Sequence, residues 1–308
     1  MYSYIDDGRR VGLFVLANAD KSLVGLKFKN CEIKEITVSE MSSLLLETYG
    51  AYEVPIFHKK ITSLPITTVT STNTTSKPQP INDISLTILE EVDSYGVTST
   101  LFFKSIKLFK SVDLYPCYSI NYIFENGKPK RGGYSSVLDY PHALGINECK
   151  FDITEEEKQN FPTWFEQHKD FAFANDTNEQ FQKALRTYNL SYYIGFKELE
   201  FIMLYTILEM LFASERTEIS YQIARGTALL LSTNTDEFKS TYKFMKKLYN
   251  ARSKYVHEGN SIERKNLFEL REIVRKVILK LIEMEYHQKD KTFKELQEKI
   301  LCAGVEKL

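Results

Sequence analysis

The sequence predicts an α+β protein in two parts: a β-rich amino-terminal domain, an antiparallel sheet or sandwich, over residues 1 to 150, and an all-helical bundle over residues 151 to 308. Length is the first reason, because 308 residues is long for a single core and the size prior favours two domains. The second is a series of short segments rich in β-branched and aromatic residues that stops near Phe124. The third is a helical pattern that sets in at Thr154. With 43% hydrophobic and 26% charged residues, the chain has enough apolar surface for its cores and is neither disordered nor collagen-like.

The strand segments, in order, are Val11 to Leu16, Leu23 to Phe28, Glu32 to Val38, Ile84 to Leu89, Thr98 to Phe109 and Tyr118 to Phe124. Thr62 to Pro80 is mostly Thr, Ser, Asn and Pro, a stretch that cannot bury a face, and is expected as a mobile loop within this domain. Its Asn73-Thr74-Thr75 fits a glycosylation sequon, but the opening MYSYIDDGRR carries acids before its bases, so a secretory signal is not expected and the match is read as accidental. Every long apolar stretch is broken by charge, so a cytoplasmic chain without a membrane partner is expected. Asn126-Gly127 is a hairpin-turn dipeptide, and the run Lys128 to Gly133, lacking apolar residues, is expected as an exposed basic loop. Cys31, Cys117, Cys149 and Cys302 form no C-x-x-C pair, which argues against a zinc knuckle or redox motif and makes buried free thiols the expectation. His58 and His142 have no companions at metal-ligand spacing, so neither a metal nor another cofactor is expected.

The helical part opens with a capping box, Thr154 and Glu157, which places the domain boundary near residues 148 to 155. Pro162 is expected to interrupt the first helical stretch, and a clearer helix starts near Asn178 with Phe181, Leu185 and Tyr188 on one stripe. Phe196 to Ser214 is apolar nearly all round and belongs at the centre of a bundle. Glu209 within it is costly to bury without a cation, and Arg225, on the next helix from Ile219 to Leu231, is the expected partner. A polar turn from Ser232 to Asp236 leads into a helix from Phe238 to His257. Another follows from Ile262 to Tyr286 with Ser261 as its cap, and Thr292 with Glu295 starts a last short one.

The helix from Phe238 to His257 carries the chemistry. Its apolar stripe runs through Phe238, Tyr242, Met245 and Leu248 or Tyr249, and Arg252 falls in the same core-facing register. A guanidinium there needs a buried carboxylate such as Glu209, a dimer interface or an anionic ligand. His257 ends the helix just before Gly259, a residue suited to a left-handed stop. A histidine at the negative end of a helix has the charge flexibility that acid–base catalysis uses, although a capping histidine is commonplace there. Residues five apart on an ideal helix differ by about 140° in direction, so Arg252 and His257 share a face only if the last turn loosens or the arginine bends across.

The segment Leu248-Tyr249-Asn250-Ala251-Arg252-Ser253-Lys254-Tyr255-Val256-His257-Glu258-Gly259 resembles the signature of the HEPN superfamily, in its Apea-like branch. Arg252, Ser253 and His257 match that motif's arginine, polar residue and histidine in order. Leu208-Glu209-Met210-Leu211-Phe212 resembles the family's glutamate-bearing helix, and Ile223 to Leu230, with Arg225, its arginine-bearing helix. Glu258 stands before Gly259 where many members place the glycine directly after the histidine. The resemblance covers a HEPN core at about residues 177 to 289.

The resemblance implies a metal-independent endoribonuclease in which the 2′-hydroxyl attacks the scissile phosphate and leaves a 2′,3′-cyclic phosphate, in a toxin or antiviral effector. In that chemistry His257 transfers protons, Arg252 offsets phosphate charge, Ser253 positions, and Glu209 with Arg225 forms a supporting polar network. One histidine cannot easily serve both ends of the displacement, so a homodimer with a composite site is expected. From Lys239 to Lys280 cations outnumber acids in a protein of net charge −1, and Lys246, Lys247, Lys254, Tyr249 and Tyr255 are candidates for holding RNA, the tyrosines more readily read as core or interface. The rival is a catalytically inactive HEPN module for dimerisation or for binding RNA or nucleotide. A further possibility makes the amino-terminal domain a sensor for a phage-derived trigger, a nucleotide signal or an antitoxin.

Overall fold

The computed structural model describes residues 10–49, 84–92, 97–131, 136–137, 151–168 and 178–302, apart from positions 18, 30, 113, 127, 195, 215 and 216. The expectations for Thr62 to Pro80, His58, His142 and Cys149 lie outside these residues. The chain divides into two compact units, Met1–Ala172 and Phe173–Leu308. Helix predominates among the described residues, and no helix among them is long and apolar enough to cross a membrane.

In the first unit the expected strands appear as β1 (Arg10–Ala17), β3 (Cys31–Thr37), β4 (Ile84–Val92) and β5 (Tyr115–Glu125). Leu23 to Phe28 yields only β2 (Lys27–Phe28), after one 3₁₀ turn at Lys21–Leu23 that Asp20 caps by accepting from the Ser22 amide at 2.9 Å. With β6 (Lys128–Arg131) and β7 (Ser136–Val137) these make one antiparallel sheet ordered β2-β3-β4-β1-β5-β6, with β7 also on β5. Over Lys128–Arg131 the expected basic loop is therefore a strand, and the rest of that run lies outside the described residues. Glu125 pairs with Lys128, Asn126 takes a positive φ of 52°, as tight hairpin turns require, and the chain returns in register. β6 ends the main strand order, where Pro129 is tolerated without an amide to donate.

Two helices were not expected in this unit. α1 (Val38–Tyr49), whose Leu44 and Leu45 are buried, lies against β3 and β6. Thr98 to Phe109, expected as a strand, is α2 (Val97–Phe109). Its Phe102 and Ile106 sit one helical turn apart and are both fully buried, so spacing decided the outcome over β-branched and aromatic composition.

α3 (Glu155–His168) starts at the expected capping box: Thr154 Oγ1 accepts from the Glu157 amide at 3.1 Å, and Glu157 Oε2 accepts from the Thr154 amide at 2.9 Å. Pro162 lies inside this helix without ending it. A proline there costs about 3 kcal/mol. Phe161 and Phe165, each fully buried, return about 1.5–3 kcal/mol apiece and outweigh it. Both join a core with Phe28 and Phe102, whose rings stack at 4.5 Å. For that reason α3 belongs to the first unit, and the division falls after Ala172 instead of near residues 148 to 155.

The second unit is helical throughout among its described residues: α4 (Glu179–Ser191), α5 (Lys197–Phe212), α6 (Ile219–Leu231), α7 (Thr235–Glu258), α8 (Arg264–Glu283) and α9 (Phe293–Cys302). The apolar α5 is the hub, in contact with the other five. Asn178 caps α4 and Asn234 caps α7, each accepting from two first-turn amides. Ser261 does not cap α8. Its hydroxyl instead accepts from Lys197 Nζ at 3.0 Å and donates to Glu198 at 3.2 Å, tying the start of α5 to the loop after α7.

A buried ion pair holds α5 to α8. Arg271, 1% exposed, grips Glu200, 0% exposed, through Nε and Nη2, the second bond at 2.8 Å, while its guanidinium carbon stands 4.9 Å from the Tyr192 ring centre. Arg271 is therefore not among the exposed cations of the run from Lys239 to Lys280. Of the cysteines, Cys31 is buried as expected, whereas Cys302, in the last turn of α9, is exposed.

Candidate active site

α7 presents Met245 and Leu248 to the bundle, both fully buried, and Arg252 follows Leu248 by one turn in the same direction. Its Nη2 lies 3.4 Å from Oε1 of Glu209 on α5, and each side chain keeps about a quarter of its surface, 26% and 25%. The cation that meets Glu209 is thus Arg252. Arg225, the expected partner, sends Nε to the carbonyl of Ile300 at 3.0 Å and helps to fasten α9 to α6.

One turn before Glu209 stands Tyr205, fully buried, with its ring 5.9 Å from that of Tyr249. Burial first, and then the neighbouring Glu209 and Tyr249, drive its hydroxyl far above the usual phenol range, with Arg252 opposing them. The group is neutral at physiological pH and holds its proton. Tyr205 Oη and Arg252 Nε are both buried without a hydrogen-bond partner. Each such group costs about 1–3 kcal/mol, so this cluster carries donor capacity that the folded chain does not use. An arginine engaged by one arm, at the length of an ion pair, keeps donors for an anionic oxygen.

His257 is exposed in the last turn of α7. The stop is as expected: Gly259 takes φ 71°, and its amide reaches the Tyr255 carbonyl at 3.0 Å. The helix stays regular to Glu258, so Arg252 and His257 diverge by about 140°, and no hydrogen bond or ring contact joins them. Ser253 is half-buried. Of the residues expected to hold RNA, Lys247 and Lys254 are exposed, Lys246 is half-buried, and Tyr249 and Tyr255 are half-buried, Tyr249 turning its ring toward Tyr205.

Sequence reasoning missed Tyr205, although its position four residues before Glu209 puts the two on one helix face. It also missed Glu200 and Arg271, a pair separated by 71 residues with no local signal. Comparison of the chain with protein-family models, with curated proteins and with solved structures finds no match.

Proposed function

We propose that the helical unit is a metal-independent endoribonuclease of the HEPN type, acting as a toxin or antiviral effector. The observation that carries this is on α7: an arginine turned toward the bundle with donors to spare, and an exposed histidine five residues later at a glycine-stopped helix end. In the reaction, one His257 takes the proton of the 2′-hydroxyl as its oxygen attacks phosphorus. The bond to the 5′-oxygen breaks, and a second His257 protonates that leaving group, giving a 2′,3′-cyclic phosphate and a 5′-hydroxyl. Arg252 offsets the charge of the pentacovalent intermediate, with Ser253 positioning. Each chain has one such histidine, so the working form is a homodimer. Because the nucleophile is a 2′-hydroxyl, DNA is not cut. The first unit is assigned to sensing, with a phage-derived trigger or an antitoxin as the partner class.

The test is incubation of wild-type and His257→Ala protein with mixed cellular RNA in EDTA, followed by analysis of the cut ends. Cyclic-phosphate ends from wild type alone are expected. Cleavage that persists in the alanine variant overturns the assignment. A second reading, an inactive HEPN module, is favoured by the Arg252–Glu209 ion pair, which gives the arginine a structural use. Under that reading His257→Ala leaves the cellular effect intact.

A further inference from the structure

The outer face of α7 carries a row of lysines. Between Phe238 and His257 the helix contains no acidic residue. Lys239, Lys243, Lys246, Lys247 and Lys254 fall within an arc of about 100° around the helix, and His257 falls within the same arc. Met245, Leu248 and Arg252 point the other way. Four of the five lysines are exposed and Lys246 is half-buried, and among the described residues none of them has an acidic partner. Several lysines on other elements do pair: Lys110 with Asp152 and Glu157, Lys183 with Glu179, Lys276 with Glu272, Lys280 with Glu283. On α7 the i,i+3 and i,i+4 spacings set like charges beside each other, where they repel and weaken the helix.

Such an array is stabilised by a polyanion laid along it, through release of that polymer's counterions. From Lys239 to His257 the ridge runs about 27 Å, enough for several nucleotides, and the histidine stands at one end. Resting on the ribonuclease reading above, we infer that this ridge is a track for the phosphate backbone of single-stranded RNA, which it feeds to His257 from one side of the cut. The strand must be unpaired because in-line attack sets the 2′-oxygen opposite the departing 5′-oxygen, a geometry that a regular A-form duplex does not offer. An anionic membrane is a poorer fit, since Met245 and Leu248 are spent on the bundle and the lysine arc itself carries no large apolar side chain to enter a bilayer.

The test uses full-length His257→Ala protein, so that RNA is held but not cut, and a labelled single-stranded RNA of about twelve nucleotides. Fluorescence anisotropy gives Kd across a series of potassium chloride concentrations. Five phosphate contacts predict a slope of log affinity against log salt of about −3.5, which Lys239→Gln with Lys243→Gln makes shallower by about 1.4. Lys183→Gln with Lys294→Gln, far from this face in sequence, is the control and leaves the slope unchanged. An unchanged slope in the α7 variant, or no RNA binding at all, overturns the track; the first result points to another RNA surface and the second to a ridge that faces solvent or an acidic protein. If wild type binds RNA with the expected slope yet cuts none, the nuclease reading fails and the track stands. If RNA is cut but the lysine substitutions leave the slope unchanged, the track fails alone.

Discussion

Arg252 is tied to Glu209 by a single contact at 3.4 Å, in a cluster that also leaves its Nε and the Tyr205 hydroxyl without partners. A pair with about a quarter of each side chain exposed lies between a surface and a buried ion pair in strength. Glu209→Gln should therefore destabilise the protein by about 1–2 kcal/mol, read as a lowered urea midpoint with an unchanged slope. If Arg252 meets the phosphate, Arg252→Ala lowers the cleavage rate by about 10²–10³, the range for losing one preorganised charge donor. Arg252→Lys then restores only part of it, because an ammonium keeps the charge but not the planar fork. A purely structural arginine predicts the reverse pattern, a stability loss in both variants and no rate difference once each is folded. Arg252 and His257 were legible because a cation in a core register and a histidine before a glycine stop are both local features. Which cation would meet Glu209 was less so: Arg225, closer in sequence, was the expected partner and is turned toward α9, while Arg252, for which Glu209 was one candidate carboxylate, makes the contact.

At the scale of elements, contacts between helices set the stability of the second unit. A Cβ added at Gly226 on α6 would stand 2.7 Å from Cδ1 and 2.8 Å from Cγ of Phe212, a ring rooted in α5 that cannot swing aside as a long flexible side chain would. Alanine gains about 1 kcal/mol in helix propensity, but overpacking at such a contact costs about 1–3 kcal/mol, so Gly226→Ala should leave stability unchanged or lower it by up to about 2 kcal/mol. Thermal melting checks this, and a rise in Tm would mean that the two helices separate easily. The Glu200–Arg271 pair is more consequential. Arg271→Met removes the cation from a buried carboxylate and should cost about 3–5 kcal/mol, whereas Glu200→Leu with Arg271→Met together should restore most of it. Helix ends were the most legible elements: the capping box at Thr154 and the stop at Gly259 act within a single turn. Thr98 to Phe109 was misread because aromatic and β-branched composition resembles a strand while the spacing of its buried residues is helical. β6 was misread because a strand of charged residues and a proline owes its form to pairing with β5, not to its own composition.

For the whole molecule, the two-part division is visible in the shift from strand to helix pattern, but the boundary is set by tertiary packing. The aromatic stripe of α3 is helical in sequence, yet it completes the core around Phe28 and Phe102. The proposed chemistry also exceeds one chain, since each brings one His257 and the reaction needs an acid and a base together. That requirement gives a quantitative expectation for mixtures of wild-type and His257→Ala protein. If both histidines must belong to the same dimer, chains that exchange at random form active pairs in proportion to the square of the wild-type fraction, so an equal mixture keeps about a quarter of the activity. A site complete within one chain keeps about half, and activity per chain then does not change on dilution. The composite site predicts in addition that activity per chain falls once dilution passes the dissociation constant of the pair. A linear dependence on wild-type fraction, measured after exchange is complete, would mean that a single His257 serves both proton transfers or that another group in the chain supplies the second.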